Sequence, residues 1–302
     1  MPKSTIIHTV SPVSTRQGPI LILTAALLWG STGTAASFAP EGAPAAAVGS
    51  AGLVLGGPLL LLTARGNRLR YSAFERCLLL LGTCAVAGYP LTFYPAVARG
   101  GVAIATVIAL GSAPVFAGLL TWITGQGRPT ARWGVATVLA VSGCAVLVLG
   151  PQFSGASAHI DPAGIALAGC AGLSYAVYSL VGGRLIARGH ASGTVMGAMF
   201  GAASLLVLPV LLCSGLGWLA TPRGAAVALH LAVFTTFVAY LLFGYGLRHT
   251  TIAVATTLTI AEAAVAAVLG VLIVGERLPL ISWCGAAVLA VALILLTRPA
   301  QS

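Results

Sequence analysis

Acidic residues are nearly missing from this chain: there are five Asp and Glu among 302 residues, and Asp161 is the only aspartate. Lysine is scarcer still, with Lys3 alone. Charged residues make up 7% against 58% hydrophobic, too few to wet the surface of a soluble domain of this length, so the solvent around most of the chain is lipid. These shortages exclude chemistries as well. A single lysine near the start allows neither a Walker A phosphate loop nor a Schiff base within an apolar helix, so no energy comes from ATP bound by this chain. A lone aspartate rules out a paired-aspartate intramembrane hydrolase, and neither HExxH nor GxSxG occurs, which leaves no catalytic residue to assign and no enzyme. Cys77, Cys84, Cys144, Cys170, Cys213 and Cys284 sit in apolar runs without CxxC spacing. No disulfide framework, metal site or cofactor is indicated, and they read as small packing residues.

What the chain has in plenty is long apolar runs, at about 19–38, 44–63, 77–97, 102–123, 132–149, 163–186, 194–213, 224–246, 251–274 and 280–297. Each is long enough to span a bilayer as a helix. The first eighteen residues carry Lys3, His8 and Arg16 but no compact apolar core with a cleavage site, so they read as a tail rather than a signal peptide. The net charge of +10 is spread through the short gaps between runs, without the clustered patch that nucleic acid requires. Threading ten spans with the amino terminus inside puts Lys3, Arg16, Arg65, Arg68, Arg70, Arg76, Arg128, Arg132, Arg184, Arg188, Arg248 and Arg298 on the inner side. Only Arg99, Arg223 and Arg277 fall outside. That asymmetry places both termini in the cytoplasm and the chain in the cell membrane.

One carboxylate breaks the apolar pattern. Glu262 lies about eleven residues into the ninth run, near ~16 Å along a continuous helix and so at mid-depth in a ~30 Å hydrocarbon layer. An ionised carboxylate there costs at least about 2.5 kcal/mol, so such a group faces a polar interior, is paired, or is neutral. A solute ligand, a proton carrier and a structural hydrogen-bonding role all fit.

The chain also repeats at a spacing of about 150 residues. Thr106 pairs with Thr256, Gly125 with Gly275, Pro129 with Pro279, and Trp133 with Trp283, while Pro58 and Pro209 extend the match back to the second and seventh runs. Five spans is an odd number, so the second copy enters the membrane from the opposite side. The reading is an all-α polytopic membrane protein of ten transmembrane helices in two inverted five-helix repeats, an arrangement that secondary transporters use for alternating access. The parts are a cytoplasmic tail over 1–18, a first repeat over 19–150, an outer linker over 151–162 and a second repeat over 163–298.

With these features on view, Leu28-Trp29-Gly30, Ala113-Pro114-Val115, Tyr245-Gly246-Leu247-Arg248, Ala261-Glu262 and Gly275-Glu276-Arg277-Leu278 occur in an order that resembles the EamA-type transporters of the drug/metabolite transporter superfamily. Two positions depart from the pattern: Ala263 stands where proline is frequent, and Gln126 where a glutamate often precedes the fifth helix. The resemblance implies a central cavity lined by helices 1, 3, 4, 6, 8 and 9. It also implies export of amino acids or related neutral, zwitterionic or cationic metabolites, with amphipathic drugs second. A non-transporting receptor or scaffold and an uncoupled channel are the alternatives, and the sequence leaves the oligomeric state open.

The candidate solute-binding residues are Glu262, also the candidate proton site, with Trp29, Tyr89, Tyr94, Pro114, Tyr175, Tyr178, Ser179 and Tyr240. Tyr89-Pro90 and Tyr94-Pro95 put two phenols in the third helix, and a hydroxyl in lipid requires a partner, so at least one turns inward. Tyr175 shares a helix face with Tyr178 and Ser179. Pro114 removes a backbone donor and can kink the fourth helix. Each of these also has a plain packing role. Gly193, Gly197 and Gly201, like Gly52 and Gly56, recur every fourth residue and read as close-packing faces. His230 reads as a hydrogen-bonded packing residue, and Glu276 beside Arg277 as a solvated pair. The topology is tested by impermeant thiol labelling of intact cells: a cysteine placed at Ser157 reacts and one at Asn67 does not, whereas equal labelling of both ends the ten-span reading.

Overall fold

In a hydrocarbon solvent every backbone N–H and C=O must be satisfied within the chain, and here the apolar runs do so as helices. The computed structural model describes residues 14–64, 71–151 and 161–297. Lys3, Arg65, Asn67, Arg68, Arg70, Ser157 and Arg298 lie outside them. Ten helices among the described residues are long and apolar enough to cross a membrane. They are α1 (Ser14–Ser37), α2 (Ala45–Leu62), α3 (Ala73–Gly100), α4 (Val102–Ile123) and α5 (Ala131–Leu149) in the first half. The second half holds α6 (Pro162–Ala187), α7 (Ser192–Cys213), α8 (Pro222–Gly246), α9 (Ile252–Val274) and α10 (Leu280–Thr297). No strand occurs among the described residues.

Ends are set by local chemistry. Ser72 and Glu75 form a reciprocal capping box at the start of α3, with Ser72 N–H donating to Glu75 at 2.9 Å. Thr130, Asp161, Thr221 and Thr251 cap α5, α6, α8 and α9. α1 starts earlier than its apolar run, because Ser14–Gly18 continues the helix in a polar turn before Pro19. The repeat is legible in backbone conformation too: Gly125 and Gly275, one repeat apart, both take positive φ, 70° and 81°, at the ends of α4 and α9. Only glycine takes that conformation without steric cost.

The halves join where small residues let backbones touch. A Cβ on Gly143 of α5 would lie 2.6 Å from the Leu289 nitrogen of α10, and one on Gly197 of α7 would lie 2.6 Å from the Leu60 carbonyl oxygen of α2. Gly52 and Gly56 face α8 instead, against Leu231, Ala232 and Thr236. The long antiparallel pair α3–α6 is pinned at both ends by charge. At one end Arg99 meets Asp161 at 3.4 Å, and the Ala163 N–H, with Arg99 beside it, holds the Asp161 carboxyl below the usual carboxylate range. At the other, Glu75 receives His190 Nε2 at 3.1 Å and lies 3.8 Å from Arg188, whose guanidinium covers the Phe74 ring. The end with Glu75 is the face on which α1 begins and α10 ends, called the termini face below.

Two glycines of α5 give a paired test. Gly134 has no atom near where a Cβ would stand, while Gly143 meets backbone. Gly143→Ala therefore loses about 1–3 kcal/mol by overpacking while Gly134→Ala is neutral or stabilising, read from thermal unfolding in detergent; equal effects would contradict the close α5–α10 seam.

Candidate functional site

The ninth span is not the continuous helix its composition suggests. It consists of Ile252–Leu258, a turn at Thr259–Ile260, Ala261–Leu269 and a π-helical end at Gly270–Val274. The cause is a cluster of threonines rather than a proline. Thr256 and Thr257 hydroxyls donate back to the Ile252 and Ala253 carbonyls at 3.0 Å, and Thr259 to the Thr256 carbonyl at 2.9 Å, in competition with the backbone ladder. The following amides shift to i−3 acceptors: Ile260 N–H to Thr257, Glu262 N–H to Thr259, and Ala263 N–H to Ile260. Glu262 thus stands in the first turn of a half-helix that begins inside the membrane. Its orphan amides are already tied up by these short bonds, so this helix start offers little to an anion.

The eighth span is irregular opposite it. Leu231–Val238 is wound as a π-helix, whose wide turn displaces carbonyls from the regular ladder. One of them, on Thr235, accepts the Trp29 indole N–H at 2.8 Å. Trp29 is thereby fixed with its ring 4.9 Å from Tyr240, 5.5 Å from Phe243 and 6.4 Å from Tyr175, centroid to centroid. Around this group Tyr175 lies 5.1 Å from Tyr178 and 6.5 Å from Tyr89, and Tyr240 lies 3.9 Å from Phe200. Edge-on and tilted pairings dominate, as ring quadrupoles prefer. Five helices, α1, α3, α6, α7 and α8, supply these rings. Tyr89, Tyr175 and Tyr240, together with Cys144 on α5, stand within electrostatic reach of the Glu262 carboxylate.

The polar groups of this nest are mostly spoken for. Tyr175 donates to Thr259 at 3.0 Å, and the Tyr178 and Tyr240 hydroxyls pair at 3.1 Å. The Glu262 carboxylate, partly buried, has no hydrogen-bond or ion-pair partner among the described residues. Ser179, one turn beyond Tyr175 on α6, is fully buried, and its hydroxyl has no hydrogen-bond partner among the described residues. Pro114 is buried within α4, which stays helical through it. Tyr94 lies further along α3, edge-on to Phe93, with its hydroxyl against Gly49 of α2. Phe200, Phe243, Thr235 and Thr259 escape the sequence reading. The threonine run at 256–259 is the signal that could have found the last.

Packing differs on the two sides of Glu262. Toward the termini face, Ile252–Ala261 is buried almost throughout and packs chiefly on α4, with α1, α5, α6 and α10 around it. Trp133 Nε1 donates to the Ala253 carbonyl at 2.9 Å, and the Thr137 and Thr257 hydroxyls meet at 3.0 Å. Toward the opposite face the second half of α9 leaves α4, leans on α1, α5 and α10, and is only partly covered.

A twice-repeated helical bundle that holds an unpaired carboxylate at mid-depth is the architecture of a membrane transporter, and the comparisons agree. The model of the EamA-like transporter family matches residues 16–149 and again 162–298. The chain belongs to that family. It is 36% identical over 280 residues to the "Uncharacterized transporter YwfM" of Bacillus subtilis (strain 168), covering 92% of this chain and 93% of that protein. Its fold matches a crystal structure with a TM-score of 0.75 at 20% identity, over 92% of this chain and 95% of the other.

The Tyr175–Thr259 bond ties α6 to the break in α9. A double-mutant cycle of Tyr175→Phe and Thr259→Val, followed by thermal unfolding, shows a coupling of about 0.6–1.7 kcal/mol; additive losses would mean that the bond does not form.

Proposed function

We propose that this transporter exports small metabolites, amine-bearing ones foremost, from the cytoplasm by alternating access around Glu262, in the cell membrane and with both termini cytoplasmic. The observation that carries the reading is a carboxylate without a counter-cation in a nest of aromatic rings. Such a site offers a carboxylate that becomes negative as an ammonium group approaches, and several ring faces, both attractive to that group. Among the described residues no arginine lies near mid-depth to receive a phosphate or a lone carboxylate, so strong anions are disfavoured. The Tyr89 and Tyr94 hydroxyls, which make no hydrogen bond among the described residues, remain for a second polar group on a neutral or zwitterionic solute.

The burial of Ile252–Ala261 at the termini face supports a state closed to the cytoplasm. The positive-inside asymmetry supports that assignment of faces. No catalytic step is needed: the cycle exchanges which half of α9 is covered, and the inverted repeat supplies two near-equivalent arrangements for it.

Glu262 is also the proton site in this reading, since a mid-membrane carboxyl can cross neutral and wait charged. Glu262→Gln imitates the protonated form. In proteoliposomes it loses the dependence of transport on a pH gradient and keeps solute exchange, which needs no net proton movement. Gradient-driven flux that survives the substitution makes the residue structural. Flux linear in concentration for every solute tested ends the carrier reading itself.

A further inference from the structure

The α1–α9 seam has a second side. Gly30 lies against the Val265 side chain and the Glu262 carbonyl, so one layer of backbone separates the aromatic nest from a groove on the outside of the bundle. That groove, about 730 Å³, runs between α1, α8 and α9 in the half of the membrane away from the termini face. Leu27, Phe234, Val265 and Val268 line it, and Leu27, Phe234 and Val268 are exposed where lipid would be. Its volume is that of a drug-sized ligand site.

Only Ser31 and His230 bring polar side chains into this apolar lining, both at the end nearer the membrane surface. Their hydrogen bonding fixes what the groove can accept. The Ser31 hydroxyl lies 2.6 Å from the Leu28 carbonyl, which can only accept, so its single proton is committed there. The same oxygen is 2.9 Å from His230 Nε2, and that contact therefore needs the proton on the ring nitrogen. A neutral imidazole protonated at Nε2 leaves Nδ1 as a bare acceptor. The groove thus pairs an apolar trough with one acceptor and no free donor, beside a wall it shares with Glu262.

We propose that this groove binds amphipathic primary amines from the adjacent leaflet, with the ammonium on His230 Nδ1 and the apolar body along α1, α8 and α9. An ammonium is donor-only and matches an acceptor without a donor. Alcohols bring an acceptor of their own and fit less well, and a choline headgroup has no N–H to give. The site is distinct from the nest and binds whether or not the chain proves to be a carrier.

The test uses the full chain in vesicles of dioleoyl phosphatidylcholine, photolabelled with a diazirine-bearing dodecylamine and mapped by peptide mass spectrometry. Labelling should fall on residues 27–31 and 230–234, saturate, and be displaced by dodecylamine but not by dodecanol. His230→Phe, which keeps a ring but no acceptor, should lower it about tenfold, the loss typical of a hydrogen bond to a charged group. Should that variant fail to fold, the competition of dodecylamine against dodecanol on the unaltered protein decides the same question. Equal displacement by amine and alcohol overturns the proposal, as does a diazirine-bearing phosphatidylcholine that labels the groove and resists the amine. Flux found together with an unlabelled groove defeats this proposal alone; labelling without flux defeats only the carrier.

Discussion

A carboxylate held at mid-membrane with no cation beside it among the described residues is the constraint around which this bundle is arranged. In hydrocarbon such a group costs several kcal/mol unless the protein surrounds it with polar or polarisable matter. Here the surroundings are aromatic rings and tyrosine hydroxyls from five helices, with Thr259 and Cys144 at the margin. The backbone yields to the same requirement. α9 breaks just before Glu262, and α8 widens to a π-helix that gives a carbonyl to Trp29. Irregular backbone of this kind survives at membrane depth only where protein or a water-filled cavity covers it. The irregularity of both helices at one level thus marks the site independently of any side chain.

The rest of the molecule supplies stiffness. Glycine seams bring α2 to α7 and α5 to α10, and ion pairs clamp α3 to α6 at both membrane faces. The inverted counterpart of α3–α6 is α8–α1, which carries no such clamps among the described residues and borders the open groove. One member of this pseudo-symmetric couple is therefore held by charge at its ends, the other by the Trp29–Thr235 and Ser31–His230 hydrogen bonds.

Much of the architecture was legible in the sequence because lipid makes composition decisive. The apolar runs mark all ten spans to within a few residues, and the proline, glycine and tryptophan coincidences mark the repeat, which the backbone repeats at Gly125 and Gly275. What composition could not show was departure from regular helix. Thr256, Thr257 and Thr259 are ordinary residues in an apolar run, and only their combined back-bonding interrupts it. Ala263 in place of a proline pointed away from a break that the threonines produce anyway. Phe200 and Phe243 read as generic lipid-compatible residues, although they pack against Tyr240 and Trp29.

The central claim, that an amine takes its place beside Glu262 among these rings, is tested most directly by the fluorescence of Trp29. With Trp122, Trp133, Trp218 and Trp283 replaced by phenylalanine, the remaining indole reports the nest alone. Titrated with phenethylamine and with phenylacetate, the protein should show a saturable change for the amine, shifted to higher concentration but not lost in Glu262→Gln, and none for the acid. An equal response to the acid, or an amine response that persists unchanged without the carboxylate, would contradict the account.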